Sequence, residues 1–130
     1  MVNSEYIRLS FPVNPAYVSS ARLTVSSIAN RIRFDIDEIE DIKTAVSEAC
    51  TYIIKQSSRT DDNFEICFIP KMGEMTVEIV AQDRDSENRL DGDMSLMMIK
   101  ALVDEFNIVR PEKGKISITM VKKHKESVFN

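Results

Sequence analysis

Four segments of this chain place apolar residues at every second position, and this one-sidedness limits the fold more than any other feature. Ile7, Leu9 and Phe11 alternate with Arg8 and Ser10, and Phe64, Ile66 and Phe68 with Glu65 and Cys67. Met75, Val77, Ile79 and Ala81 keep the same period, as do Ile116, Ile118 and Met120. Successive side chains of a strand point to opposite faces, so each segment has one face to bury and one to leave in water. A sheet made this way is mostly antiparallel and needs cover on one side only.

The cover comes from stripes of period 3.6. Asn14-Pro15 has the form of a helix start, with a side-chain cap and a proline in the first turn. Val18, Ala21, Val25, Ile28 and Ile32 follow at spacings of three and four, which predicts a helix over 15–32. Asp35 and Glu38 make a capping-box-like pair ahead of Ile39, Ile42, Val46, Ala49 and Ile53, which predicts a second helix over 36–56. Leu96, Ile99 and Val103 predict a third over 94–105. Lys71-Met72-Gly73-Glu74 is a hairpin turn, and Ile108-Val109 a short strand before the turn Pro111–Gly114. The expected order is β-α-α-β-β-α-β-β over a single domain, residues 1–130. The fold class is α+β: a two-layer sandwich of about five mostly antiparallel strands with three helices on one face.

With 43% apolar residues among 130, one core can form without disulfide or metal. Cys50 and Cys67 lack the spacing of a zinc site and are expected to be buried free thiols of a reducing cytoplasm. A net charge of −4 and the absence of Trp argue against a nucleic-acid partner. The cluster Lys122, Lys123, His124, Lys125 is expected to be a solvated tail, and Met94, Met97 and Met98 core filling on the third helix. Residues 1–15 lack the pattern of a signal peptide, and apolar runs fall far short of the ~20 residues that span a bilayer, so no membrane is expected.

Residues 16–55, AYVSSARLTVSSIANRIRFDIDEIEDIKTAVSEACTYIIK, carry a resemblance that extends through MTVEIVAQD, IKALVDEFNIV and GKISITMVKKH to nearly the whole chain. They resemble the anti-sigma-factor serine-protein kinases of the RsbW and SpoIIAB type, in the histidine-kinase-like (GHKL) ATPase superfamily. The resemblance implies a Bergerat-type ATP fold, a sigma factor as partner, and phosphorylation of a small antagonist protein with ATP and Mg²⁺. It also implies a cytoplasmic protein, with a homodimer possible.

The same resemblance assigns residues. Glu48 takes the place of the general base, and Tyr52, four residues on, replaces the Asn that ligates Mg²⁺. A neutral phenol serves this hard cation poorly. Gln56 stands where a His is common. Asp83 keeps the place of the adenine-binding Asp, but Asp85 and Glu87 fill two glycine positions that let the backbone approach nucleotide. In the phosphate turn Gly92 survives, while Asp93 and Ser95 replace glycines, and the segment between Glu87 and Gly92 is too short for the family's lid. Arg22, in SSARLTV, matches an Arg that contacts both sigma factor and antagonist. The expected function is an anti-sigma-type binding protein with lost or weakened ATP binding and no cofactor or metal. The alternative is an active kinase that uses ATP and Mg²⁺, and a third reading is a homologous module with an unrelated binding role.

Overall fold

The computed structural model describes residues 5–56, 62–82, 94–112 and 114–125. Its strands are β1 (Ile7–Pro12), β2 (Asn63–Lys71), β3 (Glu74–Gln82), β4 (Glu105–Val109) and β5 (Lys115–Lys123); its helices are α1 (Val18–Ala29), α2 (Ile36–Gln56) and α3 (Met94–Leu102). All neighbouring strands are antiparallel, in the order β1-β2-β3-β5-β4. One row of the core face, Leu9, Ile66, Ile79, Ile118 and Ile108, crosses every strand. The matching row of the open face is Arg8, Cys67, Glu78, Thr119 and Asn107. The buried strand positions and the buried helix faces form one cluster, so the helices cover one side of the sheet, as the alternation requires.

The helix limits differ from expectation where local bonding competes. Asn14 does cap, its Oδ1 accepting from the Ala16 amide at 2.9 Å, but it caps only a 3₁₀ turn at Pro15–Tyr17. After Ala29 the chain tightens: Arg31 and Ile32 donate to Ile28 and Ala29, and Arg33 takes a left-handed φ of 70°. The third helix stops at Leu102 because Asp104 already pairs sideways, donating to the Val121 carbonyl at 2.8 Å and accepting from the Lys123 amide at 2.7 Å.

Three expectations are corrected. The basic cluster is not a free tail. Lys122 pairs with Asp41 at 3.0 Å and donates to the Leu102 carbonyl, and Lys123 pairs with Glu105. Met94, Met97 and Met98 do not fill the core; α3 buries Ser95 and Ile99 and leaves the three methionines exposed. Cys50 is buried, but Cys67 lies on the open face and is only half-buried.

The two layers are joined at the start of α2. Asp35 and Glu38 close a reciprocal capping box, Glu38 N to Asp35 Oδ1 at 2.8 Å and Asp35 N to Glu38 Oε1 at 2.9 Å. Glu38 is buried, and its carboxylate also accepts from the Lys125 amide and stands 2.7 Å from His124 Nδ1. The adjoining hairpin turn donates from the Gly73 amide to the Ile32 carbonyl and accepts at its own carbonyl from the His124 amide, both at 2.8 Å.

Two outcomes follow. Gly73 holds φ 76°, a conformation that costs an L-residue about 1–2 kcal/mol, so Gly73→Ala should lower stability by that amount in urea unfolding. Burial alone would raise the Glu38 carboxyl, but the donors from Asp35, His124 and Lys125 outweigh it and hold the group below its ordinary 4.5. The folded value is the lower one, so its stabilisation is complete above about pH 4.5 and is lost as pH falls through the folded value. Glu38→Gln should cost about 1–3 kcal/mol at neutral pH, and the gap between wild-type and variant melting curves should close below pH 4.5.

Candidate functional site

Glu48, Tyr52 and Gln56 stand four residues apart on α2, so they form one row along the helix. The row runs inward along its length. Glu48 is half-buried, and it makes no hydrogen bond or ion pair among the described residues. Tyr52 is only 2% exposed and belongs to the core with Ala45, Ala49 and Ile53. Gln56 is buried, and both atoms of its amide lack a partner. An orphaned buried polar group costs about 1–3 kcal/mol, so this end of α2 carries a penalty that an apolar residue would avoid. The sequence singled out Gln56 only as a replacement; its burial without a partner was not legible there.

As a donor set for Mg²⁺ the row is poor. The ion takes oxygens from carboxylate, carbonyl or water in tight octahedral geometry. Glu48 supplies one carboxylate, and the next position offers a phenol enclosed by core side chains. Cys50, on the same helix, adds no nucleophile, because burial pushes its thiol up to about 12.

Asp83 and Gly92 lie outside the described residues, with Asp85, Glu87 and Asp93. β3 ends at Gln82 and α3 begins at Met94, so the described chain frames that segment on both sides. Ser95, expected to replace a phosphate-turn glycine, is buried and bonded.

Arg22 lies on α1, beside the fully buried Ala21 and Val25, and is itself exposed. It has no ion pair or hydrogen bond among the described residues. Next to it Leu23 is 69% exposed, an apolar neighbour that the helix stripe did not single out. The two form an uncovered cationic and apolar spot on a helix whose other face is core.

One further group of potential ligands exists among the described residues. Asp35, Glu38 and His124 bring one ligand atom each within 4.8 Å of one another. Their oxygens already accept from the Asp35, Glu38 and Lys125 amides, so the group serves as the clasp of the fold.

Residues 11–122 match the model of the histidine kinase-like ATPase domain. The serine-protein kinase RsbW of Oceanobacillus iheyensis is 33% identical over 128 residues, covering 83% of this chain and 81% of that protein. RsbW of Bacillus subtilis is 40% identical over 81 residues, covering 62% of this chain and 51% of that protein. Among solved structures, the RsbU and RsbW domains of Rv1364c from Mycobacterium tuberculosis align with TM-score 0.69 at 17% identity, covering 92% of this chain and 32% of that one. A chain of the SiaB–SiaC complex from Pseudomonas aeruginosa aligns with TM-score 0.70 at 11% identity, covering 88% of each. These two likenesses concern the fold. The matched domain and the relatives together establish that this chain belongs to the histidine kinase-like ATPase family, in its RsbW anti-sigma-factor branch.

Proposed function

We propose that this chain is a cytoplasmic regulatory protein that acts by binding partners, a sigma factor, a small antagonist protein or both, in a partner-switching pathway. In this reading ATP binding is lost or weakened. The observation that carries the reading is Tyr52, 2% exposed, at the place where the family carries its Mg²⁺-ligating Asn. A side chain enclosed by the core does not swing out to a cation without opening a cavity beneath it. The sequence adds acidic residues, Asp85, Glu87 and Asp93, at family glycine positions. Carboxylates there oppose phosphate by charge and fill space that a bare backbone leaves open.

A second reading keeps the kinase. The accessible carboxylate of Glu48 favours it, and so does the serine-protein kinase activity in the names of the relatives. That reading needs another oxygen donor for the metal, and the described part of the row offers only the enclosed amide of Gln56.

Partner binding is assigned to the outer face of α1. Arg22 has no ion pair or hydrogen bond among the described residues, and its planar fork can hold a carboxylate by two parallel bonds. Leu23 adds an exposed apolar contact at its side. Arginine is common among interface residues whose truncation costs ~2 kcal/mol or more. The test begins with affinity capture from the native bacterium, with partners identified by mass spectrometry. Titration calorimetry against a captured sigma factor or antagonist should show Arg22→Ala weakening binding at least about tenfold, with the melting temperature unchanged. Equal affinity would remove Arg22 from the interface. A fall in melting temperature would make its role structural.

A further inference from the structure

At the N-terminal end of α2, away from the Tyr52 row, a cleft of about 280 Å³ opens between the start of β1, the end of α1 and the β2–β3 turn. Sixteen residues of helix separate Ile36 from Tyr52, about 24 Å at 1.5 Å per residue, so the cleft is no part of that site. Ile28, Ile32 and Met72 give it an apolar lining, and Glu5, Arg31 and Lys71 give it charge. Met72, at the tip of the turn, is 65% exposed.

The two cations of the cleft, like Arg22, differ from several lysines elsewhere. Lys43, Lys115, Lys122, Lys123 and Lys125 each stand against a carboxylate. Arg31 and Lys71 make no ion pair or hydrogen bond among the described residues, and neither does exposed Arg33, two positions on. In a chain of net charge −4, unpaired positive charge beside an apolar hollow is a local inversion. It attracts acidic groups and repels basic ones.

From this combination we infer that the cleft docks an acidic amphipathic segment of a partner protein. Apolar side chains of the segment enter between Ile28, Ile32 and Met72, and its flanking carboxylates meet Arg31 and Lys71. A nucleic acid fits less well, because its affinity grows with the number of phosphates neutralised and it gains nothing from the apolar lining. The inference does not rest on the proposed function; it uses neither Arg22 nor the nucleotide motifs.

The test uses the full chain, isotope-labelled at isoleucine and methionine methyl groups, and three probes. One is a short peptide with leucine and phenylalanine flanked by aspartate and glutamate. The second has the same apolar residues flanked by lysine, and the third is a single-stranded oligonucleotide. The acidic peptide alone should shift the Ile28, Ile32 and Met72 signals, and more weakly as salt is raised. The double charge reversal Arg31→Glu with Lys71→Glu should weaken that binding by about tenfold or more with an unchanged melting temperature. No shift at about 1 mM acidic peptide, the weak end of specific recognition, would overturn the inference. So would equal binding of the lysine-flanked peptide, or binding of the oligonucleotide in place of the peptide.

Discussion

Burial of the inner face of α2 is the contact on which the rest of the structure depends. A sheet with one apolar face is unstable until something covers it, and α2 is the long middle helix of that cover. Ile42, Val46, Ala49 and Ile53 are essentially inaccessible to water, and each large apolar side chain so placed is worth about 1.5–3 kcal/mol. Tyr52 belongs to the same buried face. In the proposed reading this position, where the family carries a metal ligand, serves packing instead. Recovering the ligand would mean exchanging a well-packed ring for a short polar group, a change that leaves a void.

The two ends of α2 therefore differ in kind. At its start every polar group of Glu38 and Asp35 has a partner, and the clasp gathers the α1–α2 connection, the hairpin turn and the end of β5 into one network. At its end Gln56 is buried with none. Native structures satisfy nearly all their buried polar groups, so the orphan amide is an exception, and the proposed loss of the nucleotide site would account for it. The surface around Arg22 lies outside both regions, whereas the cleft around Arg31 and Lys71 borders the clasp through Ile32 and the hairpin turn.

Much of the fold was legible because local chemistry and pattern agreed. The capping pair Asp35 and Glu38 marked the start of α2, and the stripe from Ile39 to Ile53 carried it to its observed end. The hairpin between β2 and β3 followed from strict alternation around Met72-Gly73. The misreadings have separate physical causes. Lys122 meets Asp41 across 81 positions of chain, a pairing that no local pattern reveals. The segment around α3 is apolar on nearly every side, so periodicity could not tell which face was core, and Ser95 was buried in preference to Met94. The short strand at Ile108-Val109 was expected, but its start at Glu105, inside the expected third helix, is set by lateral bonds to β5. At the candidate site, positions 48, 52 and 56 were singled out by the family resemblance, whereas the enclosure of Tyr52 and the isolation of Gln56 needed the packed helix.

The most direct measurement is thermal unfolding of the whole chain with millimolar ATP and Mg²⁺, against free phosphate with Mg²⁺. A ligand at a hundred times its dissociation constant adds about 2.7 kcal/mol of stability, roughly 7–15 °C for a chain of this size. If α2 has traded its metal ligand for core packing, the two melting curves should coincide. A reproducible rise of several degrees with the nucleotide alone would contradict the account and return the chain to the active kinases.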